Sequence, residues 1–381
     1  MAIRCAFLIF AALGSAAAAV PLEIDYADPP GVGYYDQTPF GATDLGEARR
    51  TAFDLAARTW ADRLAGSVPL SVQTQWASMG GSAADAPLAS GGPAFIDRDF
   101  ANAPTPNVWY PIALANQFIG ADEEPAEPDI IVRFNLDVDG PTALGDRGFY
   151  YGLDGLPGVD VDFTQIAMRE IARGLGFYSN LEVLKDSVTG AFLGITGEFL
   201  DVEANGNRYP SVFDRFLARG PTGSSLLRDE TADQRKADMT SGDLYFAGPH
   251  TAGHNAGSAA HLYAPSSFVP GASVVLLDEA TYSPTDGLAN VNELLTPLPS
   301  AVIHEPGPIA IGVLQDLGWT VLPYTGDDAA KALRVFAGLE SPSAVAVLHL
   351  DAAAYNRMPP TVDLLDALRI ARQAMGTDPN P

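Results

Sequence analysis

The stretch Met168-Arg169-Glu170-Ile171-Ala172-Arg173-Gly174-Leu175-Gly176-Phe177 carries the decision about fold. On a helix Arg169 and Arg173, four residues apart, stand one above the other with Glu170 beside them. At 100° per residue, Ala167, Met168, Ile171 and Leu175 gather on the opposite side. This predicts an amphipathic helix from Phe163 to about Leu175, its apolar side in a core and its charged side on a cleft, closed by Gly174 and Gly176 as left-handed caps. Side chains at i and i+4 are well placed to grip one metal ion, yet a guanidinium stays protonated and has no lone pair to give. At ~4 Å and an effective dielectric of ~20, each arginine would repel a divalent cation by roughly 8 kcal/mol.

Upstream of this helix, residues 45–64 place Ala48, Ala52, Leu55, Ala56, Thr59 and Trp60 at helical spacing. Residues 69–76 alternate through Leu70, Val72, Thr74 and Trp76 as a strand does, and 130–134 read as a second strand. Downstream, 178–323 is rich in Gly, Pro, Ser and Asn, with one helical stretch at 309–317 ending in Gly318-Trp319. Past Tyr324-Thr325-Gly326 the texture turns to Ala/Leu-rich helices with a near-repeat, Ala332-Leu333-Arg334-Val335 and Ala367-Leu368-Arg369-Ile370. The chain thus divides into residues 1–19, a main body at 20–323 and a small helical module at 326–381.

With 381 residues, 47% of them hydrophobic, the chain can build a sizeable core. Residues 1–19 combine Arg4, an apolar stretch from Cys5 to Leu13 and a small-residue tract, the pattern of a secretory signal peptide whose apolar part is too short to span a bilayer. Cys5 is the only cysteine and falls in that segment, so no disulfide, thiolate nucleophile or cysteine metal site is expected in the secreted form, extracellular or periplasmic. A net charge of −25 argues against nucleic acid or an anionic membrane as partner.

Several blocks together resemble the secreted bacterial zincin-like, metzincin-related metallopeptidases over most of residues 22–320. They include Gly31-Val32-Gly33-Tyr34-Tyr35-Asp36, Asn107-Val108-Trp109-Tyr110, Phe149-Tyr150-Tyr151-Gly152, Phe213-Asp214-Arg215-Phe216-Leu217, His261-Leu262-Tyr263 and Leu277-Asp278-Glu279. The resemblance implies an α+β zincin-like domain followed by a small all-helical C-terminal module, with zinc as the family's cofactor. Its H-E-x-x-H motif, in which two histidines hold zinc and the Glu is general base, reads here Arg169-Glu170-Ile171-Ala172-Arg173. A family S-H-L-D-E block has Leu276 at its histidine, a methionine-turn block reads Leu294-Leu295-Thr296-Pro297, and the third ligand position falls at Ser179. The resemblance therefore points to a pseudopeptidase without catalytic zinc, with Glu170 a vestigial base, Arg169 and Arg173 at former ligand positions, and a binding or structural role.

Three readings of Arg169, Glu170 and Arg173 stay open: a solvated face laced by ion pairs, a cleft that clamps a peptide or acidic ligand by bidentate bonds, or a metal site rebuilt elsewhere. The last would keep an active metallopeptidase, with Glu170 as base and His250, His254 or His304 as ligands. His250 and His254 share i, i+4 spacing, but Gly248, Pro249 and Gly253 argue against a regular helix there. An adhesion or scaffold protein with a passive cleft is a further alternative. The C-terminal module resembles dockerin-like tails, which implies a protein partner and calcium at Asp363 and Asp366. Its loop 351–360 carries few of the oxygen ligands calcium needs, so a plain two-helix module is expected.

Overall fold

A computed structural model describes residues 18–282, 293–297, 302–324, 326–339, 362 and 364–375. The chain is a mixed α+β protein. Its elements, in order, begin with β1 (Leu22–Tyr26), α1 (Leu45–Ala61), β2 (Leu70–Ala77), β3 (Ala89–Pro93), α2 (Ile112–Ile119), β4 (Ile130–Asn135) and α3 (Phe163–Leu175). The first sheet has the order β1-β2-β4-β3, with β1, β2 and β4 parallel and β3 antiparallel at the edge.

The alternation read from the sequence is what builds this sheet. Leu70, Val72, Thr74 and Trp76 of β2 are buried, and so are Ile130, Val132 and Phe134 of β4. Val72 pairs with Ile130, Thr74 with Val132 and Trp76 with Phe134, so one face is buried throughout, with the one hydroxyl on it, that of Thr74, hydrogen-bonded to the Tyr34 phenol at 2.8 Å. Phe163, at the start of α3, stacks on Trp76 with ring centroids 5.4 Å apart, and Phe53 of α1 meets Phe134 edge-on. The two helices are tied together by Trp60, whose Nε1 donates to the Met168 carbonyl at 2.9 Å. Fully burying each such side chain contributes roughly 1.5–3 kcal/mol.

The helix 163–175 forms as the sequence predicts, and Asp162 caps it by accepting from the Gln165 amide at 2.8 Å. Ala167, Met168, Ile171 and Leu175 are fully buried. Only one of the two glycines expected to cap the helix does so. Gly176 is the cap, at φ 132°, but Gly174 lies inside the helix. A Cβ on Gly174 would fall 2.4 Å from the Ile130 side chain, so this glycine lets α3 press onto β4.

The segment expected to be loop-rich holds more regular structure than its composition predicts. An antiparallel hairpin pairs β5 (Leu181–Lys185) with β6 (Phe192–Phe199). A second sheet runs in the order β8-β7-β9-β10, from β7 (Leu217–Arg219), β8 (Ser225–Leu226), β9 (Leu244–Phe246) and β10 (Ala260–His261). These strands are two or three residues long, too short for period-2 patterning to register. Three further helices are α4 (Ala232–Asp238), α5 (Pro249–His254) and α6 (Glu279–Tyr282). The helix α5 overturns the expectation that Gly248 and Pro249 exclude one. Pro249 sits at the first helical position, where a missing N–H costs nothing. The carboxylate of Asp316 then caps the helix, accepting from the amides of His250 and Thr251 at 2.9 and 2.8 Å. Asp316 belongs to α7 (Pro308–Leu317), which ends at the left-handed Gly318.

In the C-terminal module α8 (Gly326–Phe336) packs on α9 (Leu364–Ala374) through Ala332, Ala367 and Ile370, all buried. The near-repeat therefore places its alanines at the contact, while Leu333 and Leu368 stay exposed. Tyr324 belongs to this small core and also covers the guanidinium of Arg63, 4.4 Å from its ring, which joins the module to the main body. Among the described residues no helix is long and apolar enough to cross a membrane. Residues 1–17 of the expected signal peptide lie outside the described residues.

Candidate functional site: the arginine face of the third helix

Glu170 is buried beneath the edge strand, not on a solvated face. A Cβ on Gly91 of β3 would fall 2.7 Å from the Glu170 Cβ and carbonyl oxygen, so the glycine allows the strand to lie directly on the helix there. The Glu170 carboxylate pairs with Arg173 Nε at 3.2 Å, and the two side chains are only 12% and 19% exposed. At that exposure, losing either partner would leave the other desolvated and without its counter-charge.

Both arginines also reach across to neighbouring turns. Arg173 Nη2 donates to the Gly271 carbonyl at 2.5 Å. Arg169 turns both Nη atoms toward the Pro297 carbonyl, at 3.4 Å each. Burial, followed by repulsion from Arg173, brings the Arg169 pKa down to about 10, so it remains a cation at neutral pH.

The turns they reach are those at which the sequence departs from the resembled family. Leu276 and Leu295 are buried, and the Leu277 amide donates to the Leu295 carbonyl at 2.7 Å. The turn 294–297 is anchored in turn by Glu293, a fully buried carboxyl that sequence reasoning missed. Its two oxygens accept from the amides of Ile309 and Ala310, at 2.7 and 3.2 Å, at the start of α7. Burial pushes its pKa up to about 8 against these favourable bonds. No local pattern marks it, since its partners lie 16 and 17 residues away.

Ser179, the third ligand position of the resemblance, is also committed elsewhere. Its Oγ donates to Asp214 at 2.5 Å, and the same carboxylate accepts from the amides of Asn180 and Ser211 at 2.8 and 2.9 Å. Asp214 is wholly buried, and desolvation raises its pKa despite those donors. It locks the chain leaving α3 to the loop before β7.

The donor set around the charged side of α3 does not fit a metal. Two of its members are guanidiniums without a lone pair, Glu170 is paired with one of them, and Ser179 is hydrogen-bonded to Asp214. The histidines named from the sequence are spread through the fold. His250 and His254 lie on α5, with His254 Nε2 3.2 Å from Gln315 Oε1. His304 is buried with Nε2 2.8 Å from the Asp162 carboxylate, beside the cap of α3. His261 stacks on Tyr245 and is held by Thr281 and the Gly242 carbonyl. Among the described residues, no three His, Asp or Glu side chains converge as a metal site would need. In the tail, Asp366 is buried in the first turn of α9, and Asp363 lies outside the described residues.

The charged side of α3 can therefore do two things. It closes the helix onto the turns at Gly271 and Pro297, and it seats Glu170 against Gly91 of β3, whose outer edge pairs with no strand among the described residues. Comparison with protein-family models, with curated proteins and with solved structures found no match to this chain.

Proposed function

We propose that this chain is a secreted zincin-fold pseudopeptidase, a protein that keeps the peptidase scaffold without catalytic zinc and uses it for binding or structure. What carries the reading is convergence. Arg169, Arg173, Leu276 and Leu295 are scattered over more than a hundred residues, yet they lie along one bonded path from α3 to the turns at Gly271 and Pro297. A lone ligand loss leaves its surroundings ready for metal, whereas here the guanidiniums have acquired acceptors of their own. The antiparallel edge strand along the helix supports a peptide as the ligand, since an extended segment can add to the free edge of β3. The helical tail provides a separate surface for a protein partner.

The test is elemental analysis together with cleavage of a denatured protein substrate, on the wild type and on Arg169→His/Arg173→His. The wild type is expected to hold well under one zinc per chain after dialysis against micromolar zinc. The double variant should stay at least ~10-fold short of robust turnover, because the surroundings at Leu276, Leu295 and Ser179 are altered too. A stoichiometric zinc in the wild type, lost on mutating His250, His254 or His304, would replace this reading with an active metallopeptidase.

A further inference from the structure

In a chain with 47 acidic and 22 basic residues, one cavity of about 580 Å³ is lined by four arginines: Arg208, Arg215, Arg228 and Arg235. It opens between residues 105–108, the end of β6, α4 and the segments that precede β7 and follow β8. Only two carboxylates share the lining, Glu198 and Asp229, and neither closes on its neighbour. Glu198 stays 3.6 Å from Arg235 with 46% of its side chain exposed, and Asp229 stays 3.8 Å from Arg228 with 73% exposed. With Glu182 3.6 Å from Arg208 as a third nearby acid, four guanidiniums still outnumber the carboxylates beside them, and the loose, solvated pairs offset only part of their repulsion.

The guanidiniums fall into two kinds. Two are fixed by the backbone. Arg235, whose side chain is 9% exposed, donates Nε to the Gly197 carbonyl and Nη1 to the Glu230 carbonyl, and lies 4.7 Å over the Phe199 ring. Arg208 donates Nη1 to the Phe199 carbonyl at 2.6 Å. The other two are unspent. Arg228 has only the 3.8 Å approach of Asp229, and Arg215 has no hydrogen bond or ion pair among the described residues. Preset donors beside open ones reduce the ordering cost of capturing an anion.

We propose that this cavity is a binding site for a small polyanion carrying carboxylate or phosphate groups. The planar fork of a guanidinium matches both groups with paired hydrogen bonds, and the volume lies in the range of ~300–1,000 Å³ usual for small-ligand sites. Four cations on separate segments select a ligand with more than one anionic group. No residue of α3 lines the cavity, so the site stands whether or not the pseudopeptidase reading does.

The experiment is calorimetric titration of the full secreted chain with pyrophosphate and with citrate, at matched ionic strength. At least one of them should bind saturably with a Kd below ~1 mM. That binding should weaken at least ~10-fold in Arg215→Ala/Arg228→Ala and weaken as salt is raised. The preferred probe tells phosphate from carboxylate recognition. Arg58→Ala, which removes a surface cation on α1, should leave binding unchanged. Melting curves on every variant verify folding, since Arg228 is exposed but Arg215 is half-buried against the Phe216 ring. Failure of both probes to saturate by ~10 mM, or binding that survives the double substitution, overturns the site.

Discussion

Arginines stand at two places in this molecule with opposite fates. On α3, Arg169 and Arg173 end on Glu170 and on the carbonyls of Pro297 and Gly271, so their charge is consumed inside the protein. Beside the second sheet, Arg215 and Arg228 face a cavity with their donors largely unspent. The same side chain thus serves as an internal tie in one region and as an open receptor in the other. What separates them is the supply of acceptors: turns with free carbonyls close over α3, while solvated carboxylates border the cavity.

The largest effect is expected where the two regions are coupled. Asp214 holds Ser179 and Asn180, which follow α3, against Ser211, which leads to Arg215. Asp214→Ala leaves three donors facing a buried void and should cost on the order of 3–5 kcal/mol in denaturant unfolding. A loss under ~1 kcal/mol would show that the regions are not joined there.

Next in size is a pH effect on the α3 side. Folded Glu293 keeps its proton up to about 8, whereas in the unfolded chain it loses it near the ordinary value of 4.5. The folded state therefore binds more protons between those values, so its stability is greatest below the lower one and falls as pH rises through the upper one. A drop of a few kcal/mol across that window is expected, and Glu293→Gln should flatten it. The phenol of Tyr282, another acid whose electrostatics couple to Glu293, titrates higher, at about 12, and leaves the window clear. An equally steep profile in Glu293→Gln would assign the slope to other groups.

The smallest effects give the sharpest contrast. Glu170→Ala strands Arg173 beside a desolvated pocket and should cost ~1–3 kcal/mol in thermal or chemical unfolding. Arg215→Ala removes a cation that ties nothing down, and stability should stay within ~0.5 kcal/mol of the wild type. If the two substitutions cost the same, the distinction between consumed and open arginines fails.

Much of this was legible in the sequence wherever a period repeats long enough. The apolar face of α3 and the alternation of β2 have the burial their spacing predicts, whereas the near-repeat of the tail did not say that its alanines form the contact. The second sheet was not legible, because strands of two or three residues leave no period to read. Six of the 22 basic residues do fall between Arg208 and Lys236, a local excess that hints at the cavity without forming a motif.

By itself the sequence determined that two of the side chains on the charged face of α3 cannot ligate a metal, because that follows from the guanidinium's lack of a lone pair whatever surrounds it. It also determined the helix and its buried side, because both are local consequences of spacing. Only the tertiary structure decided what the charges meet. Arg169 reaches Pro297 across 128 residues, and Glu293 meets α7 from a turn. Gly174, read locally as a helix stop, became a contact on Ile130. Partners so distant in the chain are chosen by packing, and packing leaves no trace in the local order of residues.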